Sequence, residues 1–348
     1  MSRYYRIAVG PETEAPVGQD AASGNAGAVW TNLVAGKADL GAQRVELDVW
    51  AFAFDAPISQ AYVRIWGPSK EQISQASDFN GAPISVYAGM QKGLPLATSD
   101  VNDGQQGIIL KGQIFQAFGN WQGINQTLDF VVTTDGGATQ SEPANLSLQW
   151  KQGTPLSQAL QQTLSTAYPE AQVKINISDS LVLTQDEHGV YQTIQQLAAY
   201  AKGVSLDIQG RDGTYQGVSI TREGDVIRVF DGTGEPEGEL TTIDIKDMIG
   251  QPTWLDAATV QFNTVMRADL SVGSLIKFPP LAALLAVTTP QSGSNARAKN
   301  TFAGNWTVTN MRHVGDSRAP DAQSWISTFQ AISDIATAAE TSVANTSA

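Results

Sequence analysis

The chain has 348 residues, and this length exceeds what one hydrophobic core usually organises, so we predict two or three domains. The apolar fraction of 42% is enough to form their cores. It contains no cysteine, which excludes disulfides, thiol nucleophiles and cysteine-ligated metal sites. The net charge of −13 excludes nonspecific binding to a nucleic-acid backbone, because such binding requires clustered Lys and Arg.

Residues 1–40 are rich in Gly, Ala and Asn and keep neither a helical nor a strand period, so we predict an extended arm or loop. Residues 41–150 contain short runs with strand alternation, short connections and no helical pattern, which predicts a small antiparallel β-barrel. Gly112 predicts a bulge or a close backbone approach. The runs are RVELDVWAFAF, AYVRIWG, APISVYAGM, QGIILKGQIFQA, NQTLDFVVT and NLSLQW.

The first strand of this barrel is apolar on both faces. Aliphatic side chains from Val45 to Val49 alternate on one face, and the other face carries Trp50, Phe52 and Phe54. A strand of this kind must be covered twice, by its own core and by something else. We therefore expect the aromatic face to form an interface.

Residues 151–240 predict a central α+β domain. Apolar residues recur at helical spacing after Pro155, with Thr154 as the predicted N-cap. A second helix is predicted in VYQTIQQLAAYAKG, with Gly203 as its C-cap. Strands are predicted at Val173–Ile177 and in VSLDIQG, YQGVSIT and DVIRVFDG.

Strand patterns resume in residues 241–335 and predict a second small β-barrel. Its closing element is a hairpin at Asn300–Ile332, in which Trp306 begins one strand and Trp325 begins the other. Residues 336–348 predict a C-terminal tail. The chain is thus predicted to be mainly β with an α+β insertion.

The hairpin contains His313, one of only two histidines, close to Asp316 and Arg318. A histidine beside a carboxylate is a candidate acid–base pair, since imidazole titrates near neutrality. A structural role is favoured, because Asp commonly hydrogen-bonds the backbone of its own turn. We therefore predict that these residues shape a turn or an interface.

The second histidine, His188, lies beside Asp186 and Glu187, residue types that ligate metals. Sequential residues rarely converge on one ion, and Gly189 before a helix indicates a turn and helix entry. A glycosidase-type carboxylate pair stays open, because the sequence does not give the separation of its 34 acidic residues. We predict no catalytic residue, no metal and no cofactor.

The order of parts resembles the central baseplate hub proteins of contractile-tailed bacteriophages, a family of double-barrel hubs similar to the tail tube. The resemblance covers roughly residues 40–335 as order and type of elements. It rests on ILKGQIFQAF, QTIQQLAAYAKGVSLDI, VGSLIKFP, GNWTVTNMRHVGDSR and SWISTF.

This resemblance implies a structural virion protein without enzymatic activity, with two tail-tube-like barrels in each subunit. It implies a homotrimer whose barrels form a pseudo-sixfold ring between the hexameric tail tube and the trimeric cell-puncturing spike. The implied partners are the tail tube protein, the spike protein and the baseplate wedge proteins, and DNA passes through without being bound. The implied location is the tail baseplate of a virion assembled in the host cytoplasm.

Eight residues are candidates for structural or interface roles. They are Trp50, Phe52, Phe54, Trp306, His313, Asp316, Arg318 and Trp325.

Two other function classes stay open on the sequence. One is a carbohydrate-active or carbohydrate-binding β protein that uses a carboxylate pair. The other is a tube or adhesin subunit of a different injection machine. The longest apolar run, Leu281–Val287, is too short to cross a bilayer, so we predict no membrane-spanning segment.

Overall fold

The predicted mainly β fold with an α+β insertion is confirmed. In the computed structural model, strands from the N-terminal and C-terminal parts of the chain form one sheet of 13 strands. Two hydrophobic cores pack against this sheet. A third core belongs to the inserted unit. Among the described residues, no helix combines the length and apolar character needed to cross a membrane. The description covers residues 3–10, 28–34, 37–52, 60–90, 105–133, 144–210, 215, 217–223, 226–232, 240–255, 259–279, 302 and 304–333.

The first β unit comprises strands β1 to β9 and the short helix α1. In the large sheet its strands follow the order β5-β6-β9-β8-β7-β1-β2, and all neighbours are antiparallel. The elements are β1 (Arg3–Val9), β2 (Ala28–Thr31), β3 (Leu33–Val34), β4 (Lys37–Ala38), β5 (Val45–Phe52), β6 (Gln60–Trp66), α1 (Lys70–Ser74), β7 (Pro83–Met90), β8 (Gly107–Gln122) and β9 (Asn125–Thr133).

The predicted N-terminal arm is wrong where the structure describes it. Strand β1 pairs with β7 along its whole length and with β2 on its other edge, and Tyr5 and Ile7 are buried in the first core. The Arg3 guanidinium donates to backbone carbonyls of Asp316 and Ala319 in the C-terminal hairpin. The sequence analysis missed this strand because Gly- and Ala-rich sequence follows it. Its stability comes from pairing with strands that are distant in the sequence.

The α+β unit packs two helices against short strands. Strand β14 pairs in parallel with β11 and antiparallel with β13, while β10 pairs with β12. The elements are β10 (Leu146–Trp150), α2 (Leu156–Ala167), β11 (Gln172–Asn176), β12 (Glu187–Tyr191), α3 (Ile194–Gln209), β13 (Ser219–Glu223) and β14 (Val226–Phe230).

Four local predictions in this region are corrected. Strand β10, predicted as the last strand of the first barrel, buries Trp150 in the third core. Pro155 is the N-cap residue of α2, whereas Thr154 hydrogen-bonds the Lys151 carbonyl. Helix α3 continues through Gly203 and ends at Gly210, whose φ of 103° favours glycine. The predicted strand VSLDIQG is therefore helical, because packing outweighs the weak helix propensity of Gly203.

The second β unit contains six strands around the second core. Strand β19 is central in it, since it pairs with both β18 and β20. The predicted hairpin is confirmed as β19 and β20. The strands are β15 (Thr241–Thr242), β16 (Thr253–Trp254), β17 (Thr259–Val265), β18 (Leu275–Lys277), β19 (Asn305–Asp316) and β20 (Trp325–Ser333).

The hairpin also joins the two β units. Beyond its contacts within the second unit, β19 pairs antiparallel with β5 of the first unit, from Asn310 opposite Phe52 to Asp316 opposite Glu46. The hairpin contributes Phe329 to the second core and Trp325 to the first core. The hairpin is thus shared by two cores, whereas the sequence placed it in the second barrel alone.

Gly112 lies at a close backbone approach, as predicted. A Cβ atom at Gly112 would lie 2.4 Å from the Thr133 carbonyl oxygen, which belongs to a paired strand and has little room to move. We expect Gly112→Ala to lower the free energy of unfolding by about 1–3 kcal/mol, measured by urea denaturation.

Gly203→Ala is the matched control for that substitution. Nothing lies within 4 Å of the added methyl group, and the position is helical. We expect this variant to gain about 0.5–1 kcal/mol, because alanine loses less conformational entropy in a helix. Equal effects of the two substitutions would contradict the close approach at Gly112.

Candidate functional site

His313 is buried at the junction of the two β units. Its side chain is only 1% exposed, and its Nδ1 lies 2.7 Å from the Ser327 hydroxyl oxygen on the paired strand β20. Burial lowers the pKa of His313 to about 4, so the imidazole is neutral at pH 7. A neutral ring enclosed beside a serine and the ring of Phe329 is a packing element, which supports the predicted structural role.

Asp316 and His313 do not form an acid–base pair. They lie three positions apart on β19, so they point to opposite faces of the strand. The Asp316 carboxylate instead accepts from Arg44 at 3.1 and 2.7 Å and from the amides of Arg318 and Ala319. Burial raises the pKa of Asp316, but these hydrogen bonds outweigh it and the pKa is lowered.

Arg318 secures the segment that precedes the first long strand. Its guanidinium donates to the backbone carbonyls of Leu40 and Ala42, while its amide takes part in the turn closed by Asp316. Arg318 is exposed, in contrast to His313. Asp316 and Arg318 therefore act together in a turn that attaches β5 to the hairpin.

Sequence reasoning missed a buried ionic cluster at the same junction. Arg267 is 1% exposed and binds the Asp269 carboxylate through two nitrogens, at 2.6 and 2.5 Å. It also lies 3.7 Å from Asp247, which accepts from Gln105 of the first β unit at 2.7 Å. Burial raises the pKa of Asp247 although Arg267 opposes the shift. The sequence does not indicate this cluster, because Asp247 and Gln105 come from segments distant from the segment that contains Arg267 and Asp269.

The two tryptophans of the hairpin are core residues. Trp306 is 2% exposed in the second core. Trp325 is also 2% exposed, and its indole Nε1 donates to the Gly89 carbonyl oxygen of the first unit at 2.9 Å. Both are therefore structural within one subunit.

On the outer face of β5, Trp50 and Asp48 both contact Arg312 of the neighbouring strand β19. The Arg312 guanidinium lies 4.0 Å from the ring centroid of Trp50 and binds both carboxylate oxygens of Asp48, at 2.8 and 2.7 Å. Trp50 is therefore covered by an arginine of the adjacent strand. The Phe52 side chain and the whole of Phe54 lie outside the described residues.

The hairpin of β8 and β9 presents the most prominent exposed apolar surface in the described chain. Five side chains of this hairpin are large, apolar and at least 40% exposed, and four of them lie between the middle of β8 and the turn before β9. Trp121 also contacts Lys70, whose ammonium lies 5.2 Å from its ring centroid. Of these four residues, only Phe115 falls within the strand predicted from the run QGIILKGQIFQA, and the sequence analysis did not identify an exposed apolar surface here. We call this set of side chains the aromatic hairpin: Phe115, Phe118, Trp121 and Ile124. They are spaced three residues apart, so along the paired strand successive members of the set point to opposite faces.

The region around His188 is a strand. His188 is exposed on β12, opposite Gln149 of β10, so the predicted turn and helix entry is wrong. The segment is extended because it pairs with β10, which lies about 40 residues earlier in the chain. Within the described ranges, no group of three or more His, Asp or Glu side chains is placed to hold a metal ion.

Comparisons with known proteins relate this fold to tail proteins. No family model matches the sequence, and no curated protein matches it. The structure is similar to the tail protein from Neisseria meningitidis MC58, with 11% identity, a TM-score of 0.51 and coverage of 96% of this chain and 97% of that chain. At this identity, the similarity establishes a shared fold.

Two further solved structures have lower TM-scores than this one. The E. coli c3393 protein, a type VI secretion system component described as similar to T4 bacteriophage tail proteins gp27 and gp5, has 10% identity, a TM-score of 0.47 and coverage of 83% of this chain and 73% of that chain. Prophage tail protein gp18 from Listeria monocytogenes EGD-e has 9% identity, a TM-score of 0.42 and coverage of 94% of both chains.

The burial of His313 predicts a specific dependence of stability on pH. Because its folded pKa of about 4 lies below the ordinary value of 6.5, the unfolded chain binds more protons between these pH values. The contribution of His313 to stability is therefore complete above pH 6.5 and falls as pH decreases, by up to about 3 kcal/mol near pH 4. We expect His313→Gln to flatten this slope in urea denaturation series.

His188→Gln is the matched control, because it removes the other histidine from an exposed position. We expect this variant to keep the slope of the wild-type protein between pH 6.5 and 4. A slope unchanged by His313→Gln would show that the imidazole is not buried in its neutral form.

Proposed function

We propose that this protein is a structural hub of a phage-like tail, which assembles as a trimer between a tail tube and a cell-puncturing spike. The observation that carries the proposal is the fold shared with a tail protein over nearly the whole of both chains. Similarity over 96% of this chain and 97% of that chain supports a role for the chain as a whole in a tail. The proposed role is assembly rather than catalysis.

The connection between the β units supports a ring of fixed geometry. Continuous backbone pairing of β19 with β5 holds the two units in one relative orientation. Two β units per subunit in a threefold assembly give six similar positions around an axis. Such a ring matches the symmetry of a hexameric tube on one side and a trimeric spike on the other.

The aromatic hairpin supports self-association. Large exposed apolar side chains clustered on a soluble protein mark interaction sites, and aromatic residues dominate binding energy at interfaces. Strand β8 pairs with β9 throughout the hairpin, so these side chains are presented on an ordered backbone. We assign the aromatic hairpin to the contact with the neighbouring subunit of the ring.

The remaining partners follow from the same role. The tail tube protein, the spike protein and the baseplate wedge proteins would contact different faces of the ring. The net charge of −13 supports a passage that does not retain DNA, because acidic walls repel phosphate groups. The proposed location is the tail baseplate of a virion.

Light scattering of the purified protein tests the trimer directly. We expect a mass of three times the 37.0 kDa chain at micromolar concentration. The double variant Phe115→Ser, Trp121→Ser should dissociate at least tenfold more readily, because it removes two aromatic anchors from the contact.

Val190→Ser is the matched control, since it removes an exposed apolar side chain from a strand of the α+β unit. We expect it to leave the trimer intact. A monomeric wild-type protein at all accessible concentrations would contradict the proposal. Equal dissociation of the double variant and the control would contradict the assignment of the aromatic hairpin.

A further inference from the structure

A polar cleft lies between the α+β unit and the second β unit. Its volume is about 800 Å³, within the range of pockets that hold small molecules. Strands β11 and β14 form one side, and the residues around the turn before β18 form the other. The residues used below are Lys174, Arg228, Thr241, Asp269, Ser271 and Ser274.

Two cations stand side by side in this cleft. Lys174 and Arg228 are direct neighbours in the parallel register of β11 and β14. Neither forms an ion pair with any carboxylate of the described residues. Adjacent like charges on neighbouring strands repel each other, so this arrangement is unfavourable unless an anion lies between or above them.

The hydrogen-bonding capacity of Arg228 is also incompletely used. Its Nε atom is buried and has no acceptor among the described residues. Thr221 lies opposite Arg228 on β13, and its hydroxyl is likewise buried without a partner in that part of the chain. Unsatisfied groups of this kind are costly, and a bound anion would offset the cost by attracting the guanidinium charge.

Among the described residues that line the cleft, the one carboxylate does not pair with these cations. Asp269 is bound through both oxygens to Arg267, which belongs to the junction cluster. The described lining therefore carries two cations against one carboxylate, and that carboxylate is already paired with Arg267, although the whole chain has a net charge of −13. This local reversal of sign favours an anionic ligand.

Hydroxyl groups complete the site. Ser271 and Ser274 lie 3.3 Å apart between their hydroxyl oxygens, so one of the two protons engages the partner and the other is free to donate. Thr241 adds a further hydroxyl to the lining. Cations combined with hydroxyl donors are the usual surroundings of a bound oxyanion.

We propose that this cleft binds a ligand with several carboxylate or phosphate groups, held by Lys174 and Arg228 and by hydroxyls of the facing turn. The volume exceeds that of one oxyanion, so the site suits a polyanion or an acidic peptide segment. Both sources share the same chemistry of charged oxygen atoms. Binding here is independent of the aromatic hairpin, because the two surfaces belong to different elements.

Isothermal titration calorimetry of the full chain at low salt tests the site with two probes. Pyrophosphate represents free phosphate compounds, and a tri-glutamate peptide represents an acidic protein segment. We expect at least one probe to bind, with an affinity that weakens as NaCl rises from about 25 to about 250 mM. The tighter probe identifies the source of the natural ligand.

Charge-neutralising variants locate the binding. Lys174→Gln and Arg228→Gln should each weaken the bound probe by about tenfold or more, because each removes a charge-assisted contact. Lys151→Gln removes the same charge from an exposed position outside the cleft and should change affinity by less than about twofold. Thermal unfolding in the presence of the probe should show a raised Tm for wild type and a smaller rise for the cleft variants.

Two outcomes would overturn the proposal. One is the absence of binding by either probe at low salt. The other is equal binding by wild type, Lys174→Gln and Arg228→Gln, which would place the anion elsewhere. If Arg228→Gln does not fold, Lys174→Gln decides the question, since Lys174 lies on the edge strand β11 and is not buried.

Discussion

The structure depends on the pairing of β19 with β5. These strands come from opposite ends of the chain, yet their backbone hydrogen bonds join two β units into one sheet. Gly315 makes this possible, because a Cβ atom there would lie 2.7 Å from the Trp325 ring and 2.8 Å from Leu47. The absence of a side chain lets Trp325 of the second unit enter the core of the first.

Buried polar side chains also connect the two β units where β19 pairs with β5. Ser327 lies within hydrogen-bond distance of both His313 and the Arg267 amide, and the Arg267 side chain reaches Asp247, which binds Gln105 of the first unit. Desolvating these groups is expensive, so the cluster contributes orientation more than net stability. These contacts join segments of the two β units at the same place as the pairing of β19 with β5, although the buried Arg267 Nη1 has no hydrogen-bond partner among the described residues.

The proposed functions use different surfaces of this rigid frame. The aromatic hairpin projects from the first β unit and suits apolar contact with a neighbouring subunit. The cleft beside Lys174 and Arg228 lies between the α+β unit and the second β unit and suits a charged ligand. Because the junction cluster supplies Arg267 to hold Asp269, the connection between β units also sets the charge of the cleft.

The sequence by itself determined the mainly β class, strands β5 to β9, helix α2 and the closing hairpin, because alternation, helical spacing and turn residues act between near neighbours. It also indicated that His313 is structural. Only the tertiary structure decided that Arg3–Val9 is a strand, that α3 passes through Gly203, and that Trp325 enters the first core. It alone placed Lys174 beside Arg228 and Arg267 beside Asp247. These features depend on contacts between distant segments, whose energies outweigh the small local propensities that a sequence displays.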